Sequence, residues 1–175
     1  MMEAAFINEK PFDCDSTLQT PISLGSKQRD IMNSVAYLRR DTLEEKDKLT
    51  GLALLMGVGT GKTLTAIAVI AQLRREDKFK SGFVYIMTSP SLKATFEDNY
   101  KKCYGEQQGK SIREAHNIII LTYREGRSAP VQGNDILVVD EAHNLRGNEG
   151  ENPMSAFKKL DFRYAFENAY DAGFV

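Results

Sequence analysis

Apolar positions along the chain change period several times, and the changes mark out elements. Residues 28–40 place Ile31, Met32, Val35, Ala36 and Leu38 at helical spacing, which predicts an amphipathic helix. A charged connector, 41–50, follows. Residues 52–56 form a short apolar run ending in glycines, as a buried strand does, and 63–75 have helical composition. Residues 83–88 give a second strand. Ser89-Pro90-Ser91 then opens a helix over 91–103, because Pro suits a first helical turn. Residues 117–123 and 135–140 give a third and fourth strand, and 154–171 a last helix with Phe157, Leu160, Tyr164 and Ala165 near one face. Strands of continuous Val, Ile and Leu separated by helices predict an α/β fold, a mostly parallel sheet with helices on both faces. Residues 1–25, with Pro11, Pro21 and Gly25, read as an irregular N-terminal extension, and 26–175 as the single domain.

Composition bounds this picture. The 175 residues suffice for one core, and 42% hydrophobic with 27% charged residues is ordinary for a globular chain. A net charge of −1 supplies no broad field to attract nucleic acid, although local phosphate contacts remain open. The two cysteines, Cys14 and Cys103, form no CxxC pair and read as free thiols of a reducing compartment. With only two histidines, His116 and His143, a histidine or cysteine metal site has little support. The N-terminus has no basic region followed by an apolar run, so no secretion signal is expected and an intracellular location is. The longest apolar stretch, 51–73, holds Lys62 near its centre, which argues against a membrane span.

Chemistry concentrates at two places. The first is Met56-Gly57-Val58-Gly59-Thr60-Gly61-Lys62-Thr63, with a strand leading in and a helix leading out. Glycines let successive amides point at one anion, and the helix N-terminus adds partial positive charge. In such a phosphate loop the backbone of Val58, Gly59, Thr60 and Gly61 cradles phosphates. Lys62 reaches the β- and γ-phosphates, and the Thr63 hydroxyl is a Mg²⁺ ligand. A flexible glycine turn ahead of an amphipathic helix is the plain alternative. Three glycines at alternate positions between strand and helix argue against it. Met56 occupies the position where the general pattern has glycine, the least demanding one in the loop.

The second place is the apolar strand that ends in Asp140-Glu141-Ala142-His143. An acidic strand end alone is common. As the partner of a phosphate loop it becomes specific, because parallel sheets bind ligands at the C-terminal ends of their strands. Asp140 then holds Mg²⁺, directly or through water, and Glu141 orients and polarises the attacking water. His143 is open between a core or surface histidine and a relay between sites.

Together the phosphate loop and the Asp-Glu-Ala-His box resemble motifs I and II of superfamily 2 helicases of the DEAH type. Thr88-Ser89-Pro90 falls where that group places motif Ia, and Leu121-Thr122-Tyr123 near motif Ib. The strings LLMGVGTGKTLTAIAV, TSPSLKATFEDNYKKC and VVDEAHNLRG are similar to helicase-like ATPases of large DNA viruses, the poxvirus nucleoside triphosphate phosphohydrolase I and early transcription factor types. The resemblance, over about 25–175, implies an N-terminal RecA-like lobe that uses ATP and Mg²⁺ and contacts DNA or RNA phosphates through Thr88, Ser89 and Pro90. It implies that Gln28 reads the adenine edge, against the alternative of a surface glutamine on a helix. It also implies a second RecA-like lobe C-terminal to this chain. The motif III triplet does not occur before Val175, so the lobe is expected to be truncated ahead of it. Turnover and nucleic-acid binding by the chain alone are then expected to be weak. Two competing readings are a P-loop ATPase that never touches nucleic acid and a nucleotide-binding lobe without turnover. The basic residues Arg74, Arg75, Lys78 and Lys80 read as solvated helix faces, and Phe96, Tyr100 and Tyr104 as core.

Overall fold

The computed structural model describes residues 23–44, 48, 54, 56–57, 59–104, 108–126 and 128–141. Helix α1 is Ser26–Leu38, α2 Lys62–Leu73 and α3 Asp77–Lys80. Strand β1 is Val84–Thr88; a 3-10 turn, Pro90–Leu92, leads into α4, Lys93–Tyr104. Then come α5, Ile112–His116; β2, Ile118–Thr122; α6, Tyr123–Gly126; and β3, Ile136–Val139. The strand predicted at 52–56, for the most part, and the helix predicted at 154–171 lie outside the described residues.

All three strands are parallel, in the order β2-β1-β3. Thr88 pairs with Thr122, and Met87 with Val139, so the C-terminal ends of the strands lie level. β1 is central and every one of its five residues is buried, which explains its unbroken apolar run. Side chains alternate between two cores. Val84, Ile86, Ile118 and Ile136 pack with Met32 and Val35 of α1, Ile67 and Ile70 of α2, and Phe96 and Tyr100 of α4. On the opposite face Tyr85, Met87 and Leu137 pack with Ala129, Val131 and the half-buried Tyr123. Helices therefore cover one face. Among the described residues, α6 and the loop around Ala129 cover the other.

Buried polar groups fix how the layers join. Arg39, at the end of α1, makes a two-pronged contact with Glu76 beyond α2, at 2.6 and 2.7 Å. Arg74, predicted to be a solvated surface residue, is partly buried instead. Its guanidinium donates to the carbonyls of His116 (2.5 Å) and Gly82 (2.8 Å), tying the end of α2 to the chain entering β1 and β2. Asp135 accepts from the amides of Phe83 and Gln132, each at 2.8 Å, and so starts β3 beside β1. Cys103 is buried; Cys14 lies outside the described residues. Among the described residues, no helix is long and apolar enough to cross a membrane.

Candidate nucleotide-binding site

The phosphate loop enters α2 through two left-handed glycines, Gly59 at φ 74° and Gly61 at φ 82°. A side chain is strained in that region, so the glycines are what let the backbone turn here. Thr60 folds back on the carbonyl of Gly57, with its hydroxyl at 2.6 Å. Gly61 is the N-cap of α2 and, having no side chain, makes no side-chain cap. Among the described residues no side chain is recorded on the first-turn amides at Lys62 and Thr63, where the helix dipole favours an anion.

Opposite the loop stands the end of β3. The amide of Asp140 continues the sheet by donating to the carbonyl of Met87 at 2.9 Å. By alternation Asp140 shares the face of Ile136 and Val138, which is the face that α2 covers. The Thr88 hydroxyl donates to Asp140 Oδ2 at 3.0 Å. The Tyr123 hydroxyl donates to the Asp140 carbonyl from the other side. Glu141 adopts φ 50°, a left-handed conformation that costs a non-glycine residue roughly 1–2 kcal/mol. In that turn its carboxylate meets Lys62, with Nζ to Oε1 at 2.6 Å. The Glu141 hydrogen bond holds the Lys62 ammonium above its ordinary pKa, so Lys62 is charged.

Gln28 is buried against the same loop. Its Nε2 donates to the Gly61 carbonyl (3.2 Å) and the Thr65 hydroxyl (3.1 Å), while its Oε1 accepts from the Gly25 amide (2.8 Å). It is thus not a surface glutamine. Thr88 is wholly buried and its hydroxyl is committed to Asp140, so that hydroxyl is not the group that would meet a strand phosphate. Of that expected trio, half-buried Ser89 and exposed Pro90 are the accessible members. Val58 and His143 lie outside the described residues. Thr63 follows Lys62 in the first turn of α2 and is half-buried. Two residues at the site were not assigned a role from sequence, Thr65 and Tyr123. Tyr123 stood in the segment matched to motif Ib, but nothing local says that its hydroxyl reaches the acidic turn.

Magnesium with a nucleotide fits this donor set. Mg²⁺ is usually held by one or two carboxylates plus substrate phosphates and waters rather than by an all-protein cage. Among the described residues no group of three or more His, Cys, Asp or Glu could hold a metal ion. A strand-end aspartate with a helix-start threonine is such a partial oxygen donor set, and the Lys62 ammonium suits the phosphates rather than the metal.

A family model described as "Type III restriction enzyme, res subunit" matches residues 21–170. The chain belongs to this family. No curated protein matches the chain. Among solved structures, the fold is similar to the "Sulfolobus solfataricus SWI2/SNF2 ATPase core in complex with dsDNA". The match has a TM-score of 0.59 and 21% identity over 87% of this chain. The chain spans 31% of that structure's length. The parallel sheet and its helices are an α/β RecA-like lobe of the superfamily 2 helicase type.

Proposed function

We propose that the chain is the ATP-binding lobe of a nucleic-acid-dependent ATPase, a helicase or translocase, that hydrolyses ATP with Mg²⁺. The observation that carries this reading is the 2.6 Å contact between Lys62 and Glu141, which puts the phosphate loop against the acidic strand end. Both side chains are about a third exposed, at 34% and 35%, so exchange of this partner for a phosphate costs little burial. Residues 59–61 and the first amides of α2 cradle the phosphates, and Lys62 places its charge at the β- and γ-phosphates. Thr63 and Asp140 would hold Mg²⁺, which supplies neutralisation of the charge that builds on the phosphoryl oxygens. Glu141 orients the attacking water and draws off its proton. Just past β1, Ser89 offers a hydroxyl and an amide for the strand-phosphate contact, with Pro90, which has no N–H, beside it. The similar Sulfolobus protein is seen with double-stranded DNA, which supports a nucleic-acid partner. A second RecA-like lobe would complete the motor, and the lobe described here would occupy 26–175. The similarity to ATPases of large DNA viruses is a finer resemblance within the same reading.

Steady-state phosphate release by the chain, with and without single-stranded DNA or RNA, tests this. A slow, Mg²⁺-dependent turnover is expected, with little stimulation. An arginine supplied by a partner lobe is worth about 10³–10⁵ in rate, and a net charge of −1 gives no compensating attraction. Nucleic-acid affinity should sit on the non-specific scale, about 10⁻⁴–10⁻⁶ M or weaker. Turnover that is strongly stimulated in this chain alone would contradict the two-lobe account. A parent protein whose turnover ignores nucleic acid would favour a P-loop ATPase of another kind.

A further inference from the structure

Thr88 closes β1 at the level where β3 ends in Asp140. Both residues point to the sheet face packed by α2, since Val84 and Ile86 precede Thr88, and Ile136 and Val138 precede Asp140, at alternate positions in the same core. Thr88 is 0% exposed, and its hydroxyl donates to Asp140 Oδ2 at 3.0 Å across 52 residues of sequence. A hydroxyl buried this way is not a surface group available to a phosphate backbone. We propose that Thr88 is a positioning residue that sets the orientation of the Asp140 carboxylate for Mg²⁺, an assignment that rests on Asp140 holding the metal beside bound ATP as proposed above. The physical reason lies in the two side chains. The terminal torsion of an aspartate is broad and roughly two-fold, so the backbone alone does not fix the carboxylate plane. A β-branched threonine is stiff at χ1, so its hydroxyl is a fixed donor. Holding Oδ2 leaves Oδ1 as the oxygen directed to the metal or its water. Metal-ligating carboxylates are commonly oriented by such hydrogen bonds, and removing the partner typically weakens metal affinity. Main-chain anchoring is separate: the Asp140 amide is held by Met87 and its carbonyl by Tyr123, so losing the Thr88 hydroxyl changes the carboxylate rather than the turn.

The test is a Mg²⁺ titration of the whole chain at fixed concentration of a non-hydrolysable ATP analogue, followed by binding of the analogue. Its affinity without metal is measured in parallel, and circular dichroism checks folding. Thr88→Val keeps shape and burial but removes the donor; Thr88→Ala serves the same purpose should the valine variant not fold. Either should need about 10-fold more Mg²⁺ for half-saturation, on the scale of losing a partner of a metal ligand. Metal-free analogue affinity should be unchanged. Thr88→Ser, which retains the hydroxyl, should restore the wild-type midpoint. In an Asp140→Ala background, Thr88→Val should have no further effect on the metal dependence. An unchanged midpoint in the valine and alanine variants would overturn the assignment. So would a serine variant as impaired as valine, or the same loss with Asp140 already removed. If the wild-type chain binds no analogue with Mg²⁺ at all, the ATPase reading itself fails, which is a distinct result.

Discussion

Lys62 and Glu141 stand 79 positions apart in sequence and 2.6 Å apart in space. Both were singled out from sequence because each sits in a motif whose spacing carries a mechanism, and their contact brings the two motifs together. The role of Thr88 was not legible. Whether a strand-end threonine faces solvent or a neighbouring aspartate depends on which strands are adjacent, and β1 lies next to β3 although β2 intervenes in sequence. Gln28 was placed at the site, but its contact with the loop carbonyl of Gly61 depends on the packing of α1 on α2. At this scale the roles of the two acids separate. Glu141→Gln keeps size and hydrogen bonding while removing the carboxylate charge proposed to polarise water. ATP and Mg²⁺ should still bind, while turnover in the parent protein falls by about 10²–10⁴-fold. Comparing equilibrium binding with steady-state rates checks this, and near-wild-type turnover would assign the water to another residue.

The three strands among the described residues lie within a residue of the runs predicted at 83–88, 117–123 and 135–140, because a parallel strand packed on both faces reads as a continuous apolar run. Short helices escaped. α3 and α6 have four residues each, too few to show a period. α5 did carry a signal: Ser111 and Glu114 form a reciprocal capping box, the Ser-x-x-Glu pattern of a helix start. Between elements, Gly82 is required by crowding. A Cβ there would lie 2.0 Å from the Asn134 carbonyl oxygen, which is backbone and has little freedom to yield. Gly82→Ala should therefore destabilise the lobe by about 1–3 kcal/mol, as overpacking does, read as a lowered denaturant midpoint. His116 ends α5 against the rings of Tyr100 (5.3 Å) and Tyr104 (5.7 Å). Burial, with the Arg74 charge, pushes its pKa below the ordinary value. The unfolded chain then takes up the proton first, so the contribution of His116 is complete above about pH 6.5 and lost as pH falls through the lowered folded value. Thermal unfolding at pH 7.5 and 5.0 should show a larger drop for the wild type than for His116→Phe. Equal drops would mean that His116 does not couple folding to protons.

The whole molecule follows from one constraint, that a parallel sheet must be covered on both faces. Alternation along β1 and β3 divides the core into two, and level strand ends bring Thr88, Asp140 and Glu141 to the edge that the phosphate loop faces. That architecture was readable because apolar runs and helical periods alternate along the chain. What covers the second face was not, since α6 and the Ala129 loop have no periodicity to mark them. Membership of the Type III restriction enzyme res subunit family and the RecA-like fold agree with the proposed ATP-binding lobe, in which the loop before α2 would hold nucleotide phosphates. Calorimetric titration of ATP with Mg²⁺ into the wild-type chain and into Lys62→Ala decides whether it does. Saturable binding by the wild type and no detectable binding by the variant are expected, with the same circular dichroism spectrum for both. Equal ATP affinity in the two would contradict it.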